Sequence, residues 1–133
     1  SGSMDIYLHE TGPFSSCAAV DVPEAECLVL QDLYTSTSGS SWYENTGWFV
    51  TDEVCSWYGI ECYSGNVEGI SLWSNDLTGS LTTDFTNLSY LWFLDIEYNW
   101  DLGGDISTII GNMPTGLGYL FLGGNNFSGT IPA

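Results

Sequence analysis

The sequence predicts a solenoid, a fold in which short repeated units stack and bury their apolar faces against their neighbours. The first observation is a tandem repeat, because segments that begin at Val67, Leu91 and Leu117 fit one frame. Each segment has apolar residues at places one, four and six and Asn at place nine, followed by an apolar residue, Gly and another apolar residue. The second observation is the period of 24 and then 26 residues, which is typical of repeat architectures.

The spacing inside a unit predicts a short strand followed by a turn. Apolar residues at places four and six alternate with others, which predicts a strand with one buried face. Asn at place nine is expected to bond backbone groups where the chain leaves the strand, and the glycine lets the turn close. Places three, five, seven and eight are then expected to face solvent on the strand side.

The repeat frame resembles the leucine-rich repeat in its plant-type form, which ends in Gly-x-Ile-Pro. Residues 117–132 carry the full frame. The first unit has Leu81-Thr82 where Ile-Pro is expected, and the second has one extra residue after its Asn and ends in Ile106-Ser107. The resemblance implies an α/β leucine-rich repeat solenoid with a short parallel β-sheet on its concave face.

A helix is predicted to open at Pro23, because proline is favoured in the first turn of a helix. Asp21 is close enough to favour the helix N-terminus, and Glu24 and Glu26 lie in the first turn. One face at helical spacing carries Cys27, Leu30, Leu33 and Tyr34. The helix is expected to end in the Thr- and Ser-rich run before Gly39.

An aromatic-rich loop follows the helix and ends in the pattern Cys-x-Trp-x-Gly-Ile-x-Cys at residues 55–62. With the helix, this loop resembles the N-terminal cap of plant-type leucine-rich repeats, and similar caps occur in secreted bacterial and algal proteins. The resemblance implies that Trp42, Trp48 and Trp57 form the core of a cap over the first repeat. The predicted organisation is a leader or tag-derived segment at 1–16, the cap at 17–66 and about three leucine-rich repeats at 67–133.

The four cysteines predict two disulfides. They lack the spacing and the additional ligands of a zinc site. Of the three possible pairings the two local ones are favoured, Cys17–Cys27 and Cys55–Cys62, and each closes a loop of about ten residues. Closing such a loop with a disulfide stabilises the folded state by roughly 2–3 kcal/mol in the chain-entropy model. Disulfides indicate an oxidising compartment, so the protein is expected to be secreted or at the cell surface.

The chain is strongly acidic, with 17 carboxylates, no Lys or Arg, and a formal net charge of −17. Nucleic acid, anionic membranes and phosphate cofactors are usually bound through Lys or Arg, so none of these is expected as a partner. A partner should be neutral or basic. The alternative is that the charge only maintains solubility.

No catalytic site, metal site or cofactor is predicted. The chain has one histidine, His9, and no Gly-x-Ser-x-Gly pattern, so a Ser-His-Asp arrangement is not expected. With 17 acids, some carboxylate pair will lie at a glycosidase-like distance, which makes such a pair uninformative. The protein is therefore not expected to be an enzyme. Residues 5–9 alternate weakly, which fits an edge strand or a flexible leader, and His9 is expected at the surface.

The predicted recognition surface is the concave face. Its places three, five, seven and eight carry five aromatic residues and two carboxylates: Trp73, Phe93, Asp95, Glu97, Tyr98, Tyr119 and Phe121. Exposed apolar patches usually mark interaction sites, whereas neighbouring rings can also simply stiffen a sheet. We therefore expect a recognition or adhesion module for a protein, peptide or glycan. The alternative is a structural or self-assembling surface protein that binds Ca²⁺, mineral or ice.

The third unit is not followed by a terminal cap in the sequence. Three repeats are few for a stable solenoid, so we expect a front piece of a longer protein or self-association through this end, and the former is favoured. A strict monomer in sedimentation at high concentration would exclude the self-associated form.

Overall fold

The computed structural model of the protein describes residues 12–132. The helices are α1 (Glu24–Ser36) and α2 (Ile106–Gly111). The strands are β1 (Ile60–Tyr63), β2 (Asn66–Ser71), β3 (Gly79–Ser80), β4 (Phe93–Asp95), β5 (Leu102–Asp105), β6 (Tyr119–Phe121) and β7 (Asn126–Ser128). The weak alternation at residues 5–9, and His9 with it, lies outside the described residues.

The strands form two sheets, and each repeat unit contributes one strand to each of them. The first sheet has the order β1-β2-β4-β6 and the second the order β3-β5-β7. Strands β2, β4 and β6 are parallel and in register, so that the residues at place four, Ile70, Leu94 and Leu120, are aligned. The unpredicted strand β1 instead forms an antiparallel hairpin with β2 and lies at the edge of the first sheet.

The apolar places of the frame are buried to different depths along the stack. Places four and six are fully buried in the first two units, at Ile70, Leu72, Leu94 and Ile96. In the third unit Leu120 and Leu122 are only half-buried. The difference arises because the third unit packs against a described unit on one side only. Self-association through this surface stays a prediction.

Asn99, at place nine of the second unit, joins this unit to the first. Its fully buried side chain accepts hydrogen bonds through Oδ1 from the N–H groups of Asn75 and Leu77, at 2.9 and 3.0 Å. Its Nδ2 donates to the carbonyls of Leu72 and Ile96, at 3.2 and 2.8 Å. The expectation that this Asn bonds backbone groups at the end of the strand is confirmed.

The same bond pattern continues in both directions from Asn99. In the third unit, Oδ1 of Asn125 accepts from the Asn99 N–H at 2.7 Å. In the first unit, Asn75 exchanges two hydrogen bonds with the backbone of Glu44, at 2.8 and 2.9 Å. The row of Asn side chains therefore links the repeats to one another and to the segment that precedes them.

The three tryptophans of that preceding segment form a buried cluster beside α1. Trp42, Trp48 and Trp57 are buried, and the centroid distances are 4.8 Å for Trp42–Trp48 and 5.2 Å for Trp48–Trp57. Each indole N–H donates to a backbone carbonyl, which satisfies a polar group that would be costly to bury unpaired. These tryptophans are core residues, as the resemblance implies.

Both ends of this segment are tied by disulfides, Cys17–Cys27 and Cys55–Cys62. The first attaches the chain before α1 to the helix, and the second attaches a 3-10 turn (Val54–Ser56) to β1. Asp21 does not cap the helix, whose first turn has no side-chain cap. Its carboxylate instead accepts from the N–H of Val54 at 2.7 Å, within that 3-10 turn.

Glu26 of α1 points inward, although its place in the first turn suggests a solvated residue. Its side chain is only 3 % exposed, and Oε1 accepts from the N–H of Val67, the first residue of the repeats, at 2.8 Å. Burial raises the pKa of the Glu26 carboxyl above its ordinary value, and the hydrogen bond from Val67 opposes that rise. The helix is thus connected to the first repeat through a buried carboxyl group.

Candidate functional site

The exposed face of the first sheet is built in rows, because residues at the same place of the frame are aligned across β2, β4 and β6. Place three contributes Gly69, Phe93 and Tyr119, and place five contributes Ser71, Asp95 and Phe121. These places alternate with the buried place four, so their side chains point away from the core. The register therefore makes neighbours of aromatic residues that lie a full repeat apart in the sequence.

An aromatic cluster, made by Trp92, Phe93, Tyr119 and Phe121, covers β4 and β6 on this face. The ring centroids of Phe93 and Phe121 are 5.6 Å apart, and the rings of Tyr119 and Phe121 are stacked at 6.3 Å with 6° between their planes. Trp92 meets Tyr119 edge to face at 5.1 Å. These are favourable geometries for aromatic pairs. Tyr119 is nevertheless 50 % exposed and Trp92 45 % exposed, so the cluster is open to solvent.

Trp92 was not among the residues predicted for this site. It occupies place two, which the alternation does not assign to the concave face, and it precedes the first residue of β4. Its carbonyl accepts from the N–H groups of Gly118 and Tyr119, both at 2.8 Å, which connects it to the third unit. The only sequence signal for this position was the Trp92-Phe93 pair at the start of a strand.

Glu61 of β1 closes one side of the aromatic cluster and was also missed. It is the antiparallel partner of Gly69, and its side chain lies over that glycine, because a Cβ placed on Gly69 would come within 3.3 Å of Oε1 of Glu61. Glu61 and the aromatic cluster together line an open cleft of about 390 Å³. The alternation of residues 60–63 before Ser64-Gly65 is the sequence signal for the β1–β2 hairpin that brings Glu61 here.

The remaining predicted residues lie away from this cleft. Asp95 is aligned with Phe121, but Oδ1 of its carboxylate accepts from the Glu97 N–H at 3.1 Å, and Asp95 does not line the cleft. The side chain of Glu97 lies over Gly123, with Oε2 3.6 Å from where a Cβ would stand. Trp73 is exposed, and none of the described rings is paired with it.

Tyr98 lines a different cleft. Place eight has a positive φ in every unit, with 52° at Ser74, 61° at Tyr98 and 74° at Gly124, so the chain has already left the extended strand there. Tyr98 contacts Trp100, with centroids 5.8 Å apart. The two rings line a second cleft of about 250 Å³ with Tyr43, Ser74, Asp76 and Asp101. The strand geometry has ended at place eight, so the alternation does not determine the direction of its side chains, and the assignment of Tyr98 to the recognition face stays a prediction.

Within residues 12–132, no group of three or more His, Cys, Asp or Glu side chains is arranged to hold a metal ion. None of the described helices is both long and apolar enough to cross a bilayer. The site consists of aromatic rings and one flanking carboxylate, in a chain that has no Lys or Arg. Such a surface is suited to binding through stacking and charge.

Over part of its length the chain is similar to plant receptor-like proteins. It is 40 % identical over 77 residues to Protein STRUBBELIG-RECEPTOR FAMILY 1 of Arabidopsis thaliana, which covers 58 % of this chain and 9 % of that protein. It is 35 % identical over 99 residues to Receptor-like protein EIX2 of Solanum lycopersicum, with 65 % and 10 % covered. It is 33 % identical over 79 residues to LRR receptor-like serine/threonine-protein kinase GSO2 of Arabidopsis thaliana, with 59 % and 6 % covered. No family model and no solved structure matches the chain.

These similarities support a relationship to leucine-rich repeat proteins and, with the strand stacking, a repeat fold. The chain spans a tenth or less of the length of each of these relatives. The matched proteins include receptor-like proteins as well as receptor-like kinases.

Proposed function

We propose that this protein is a recognition module, built as a leucine-rich repeat solenoid, that binds a protein or peptide through the concave face of β2, β4 and β6. The observation that carries the proposal is the aromatic cluster of four neighbouring, solvent-open rings on one sheet face. Contiguous exposed apolar surface is characteristic of interaction sites, and aromatic residues are frequent anchors there. The receptor-like names of the relatives agree with a role in binding.

The same proposal covers the organisation of the module, its location and the charge of its partner. Residues 17–66 act as the cap and residues 67–133 as about three repeats. The two disulfides support an extracellular or cell-surface location. With a net charge of −17, the module favours a neutral or basic partner. A role in adhesion is one form that such binding takes.

The competing explanation is that the rings stack only to stiffen the sheet, in which case removing them lowers stability and not affinity. Display selection of random peptides against the folded protein, followed by affinity measurements, separates the two explanations. The test variant is Phe93→Ala/Tyr119→Ala. The matched control is Trp100→Ala, which removes an exposed ring that lies outside the aromatic cluster.

We expect the double variant to lose about thirtyfold or more in affinity, the equivalent of about 2 kcal/mol for hot-spot residues, and the control to bind nearly as well as the natural sequence. Melting temperatures should differ little between the two variants. Unchanged peptide affinity in a folded double variant would refute the proposal. A parallel glycan array covers the remaining class, since ligands found only there would make the partner a glycan.

A further inference from the structure

The cleft that the aromatic cluster lines has a carboxylate on one side and aromatic rings on the other, and a glycine lies beneath the side chain that carries the carboxylate. Register places Glu61 next to Gly69 and Gly69 next to Phe93, so these residues occupy one row on three adjacent strands. Adjacent strands are separated by about 4.8 Å, which puts the outer two backbones roughly 10 Å apart. Because Gly69 has no side chain, the side chain of Glu61 can extend over it, and the cleft that Glu61 and the aromatic cluster line is open to a side chain of a partner.

Within residues 12–132, no basic side chain is present to balance the charge in this row. The sequence has no Lys or Arg that could pair with Glu61. The side chain of Glu61 extends over the glycine, which directs it along the sheet surface. A carboxylate beside exposed ring faces favours a cationic group that is also planar and able to stack.

The guanidinium of arginine has these properties, since it is always charged, stacks on aromatic faces and donates two parallel hydrogen bonds to a carboxylate. A lysine ammonium has the charge and a cation–π contact but lacks the planar, forked arrangement of donors. We propose that the cleft is a subsite for one arginine side chain of the protein or peptide partner. Glu61 accepts the guanidinium N–H groups, and Phe93 and Trp92 contact its plane. This inference rests on the proposed function of the concave face.

The experiment uses the highest-affinity peptides from the selection described above. Each arginine in such a peptide is replaced in turn by lysine and by citrulline, a neutral group of nearly the same shape. Affinities are measured for the natural protein, for Glu61→Gln and for Gly69→Val, whose side chain would displace that of Glu61 from above position 69. The control is Glu24→Gln, which makes the same change in net charge at an exposed residue of α1.

We expect one arginine to be required, with about a tenfold loss on the citrulline exchange and a smaller loss on the lysine exchange. Glu61→Gln should lose a similar factor and should make the citrulline exchange nearly neutral, because the two changes remove the same interaction. Gly69→Val should weaken binding of the arginine peptide, and Glu24→Gln should leave the affinity of that peptide nearly unchanged.

Three outcomes would overturn the inference. Selected peptides that bind at the aromatic cluster without arginine would leave the proposed function intact and remove the arginine subsite. Equal losses of affinity in Glu61→Gln and Glu24→Gln would show that the preference for arginine comes from the overall negative charge and not from Glu61. A selection that yields no ligand sensitive to Phe93→Ala/Tyr119→Ala would refute the proposed function and this inference with it.

Discussion

Asn99 offers the sharpest test of how the repeats are held together. Replacing it by Ala removes an acceptor from two buried N–H groups, those of Asn75 and Leu77, and a donor from the carbonyls of Leu72 and Ile96. Each buried backbone group left without a partner costs about 1–3 kcal/mol. Because some of these groups will find partial compensation from water, we expect Asn99→Ala to lower the free energy of unfolding by about 3–5 kcal/mol.

Asn125 is the matched control, since it occupies the same place one unit later. Its Oδ1 accepts from one N–H and its Nδ2 donates to the carbonyls of Ile96 and Leu122, but its side chain is only half-buried. Water can therefore replace many of the hydrogen bonds that the Asn125 side chain makes. We expect Asn125→Ala to cost about 1–2 kcal/mol, clearly less than the change at Asn99.

The measurement is urea unfolding followed by tryptophan fluorescence and by far-ultraviolet circular dichroism. The buried tryptophans report on the segment before the repeats, and the dichroism reports on the whole chain. Coincident transitions justify a two-state free energy for each variant. A loss below about 1 kcal/mol at Asn99 would refute the view that its buried hydrogen bonds stabilise the fold, and an equal loss at both positions would refute the argument that burial makes Asn99 the more important of the two.

Two further changes test single contacts between the helix, the hairpin and the first repeat. Burial raises the pKa of Glu26 in the folded state, so ionisation of this carboxyl lowers the free energy of unfolding as the pH rises from the pKa of the unfolded chain through that of the folded protein. Glu26→Gln should therefore raise urea resistance at pH 7 relative to the exposed control Glu24→Gln, and the gain should shrink as the pH falls below the folded pKa. A difference that does not depend on pH would contradict this argument. Gly59→Ala should lower the free energy of unfolding by several kcal/mol, because φ is +81° and the added Cβ would stand 2.3 Å from the carbonyl oxygen of Ser71. The control Gly65→Ala, at φ +80° with open space around it, should lower it by only about 1–2 kcal/mol. Equal melting temperatures of the two variants would refute the steric argument.

The repeat could be predicted because the frame and the contacts it produces have the same period. Ile70 and Leu94 are aligned and buried because each packs against the neighbouring unit. Asn recurs at place nine, as at Asn99, because each turn leaves backbone groups that need a hydrogen-bond partner. The same logic identified Phe93, Tyr119 and Phe121 as neighbours on the exposed face. These outcomes depend only on the alternation inside a unit and on the parallel register between units.

The parts of the site that were missed depend on information outside the frame. Glu61 reaches the cleft through an antiparallel hairpin, so its position follows from a turn at Ser64-Gly65 and not from the repeat period. Trp92 lies just before a strand, where alternation no longer dictates direction. Tyr98 lines another cleft, and its own positive φ ends the strand geometry on which the alternation depends. Tertiary pairing and local backbone turns decide these positions.

The site therefore crosses the boundary between the segment that precedes the repeats and the repeats themselves. The aromatic rings come from the second and third units, whereas the carboxylate comes from β1, which Cys62 anchors through its disulfide to Cys55. A strand at the edge of a sheet shields the backbone groups of its neighbour, so β1 protects β2 while it also supplies a side chain to the exposed face. The segment before the repeats has two physical roles as a result. It packs against the first unit through β1 and the Glu26–Val67 hydrogen bond, and it supplies the carboxylate that lies beside the aromatic cluster.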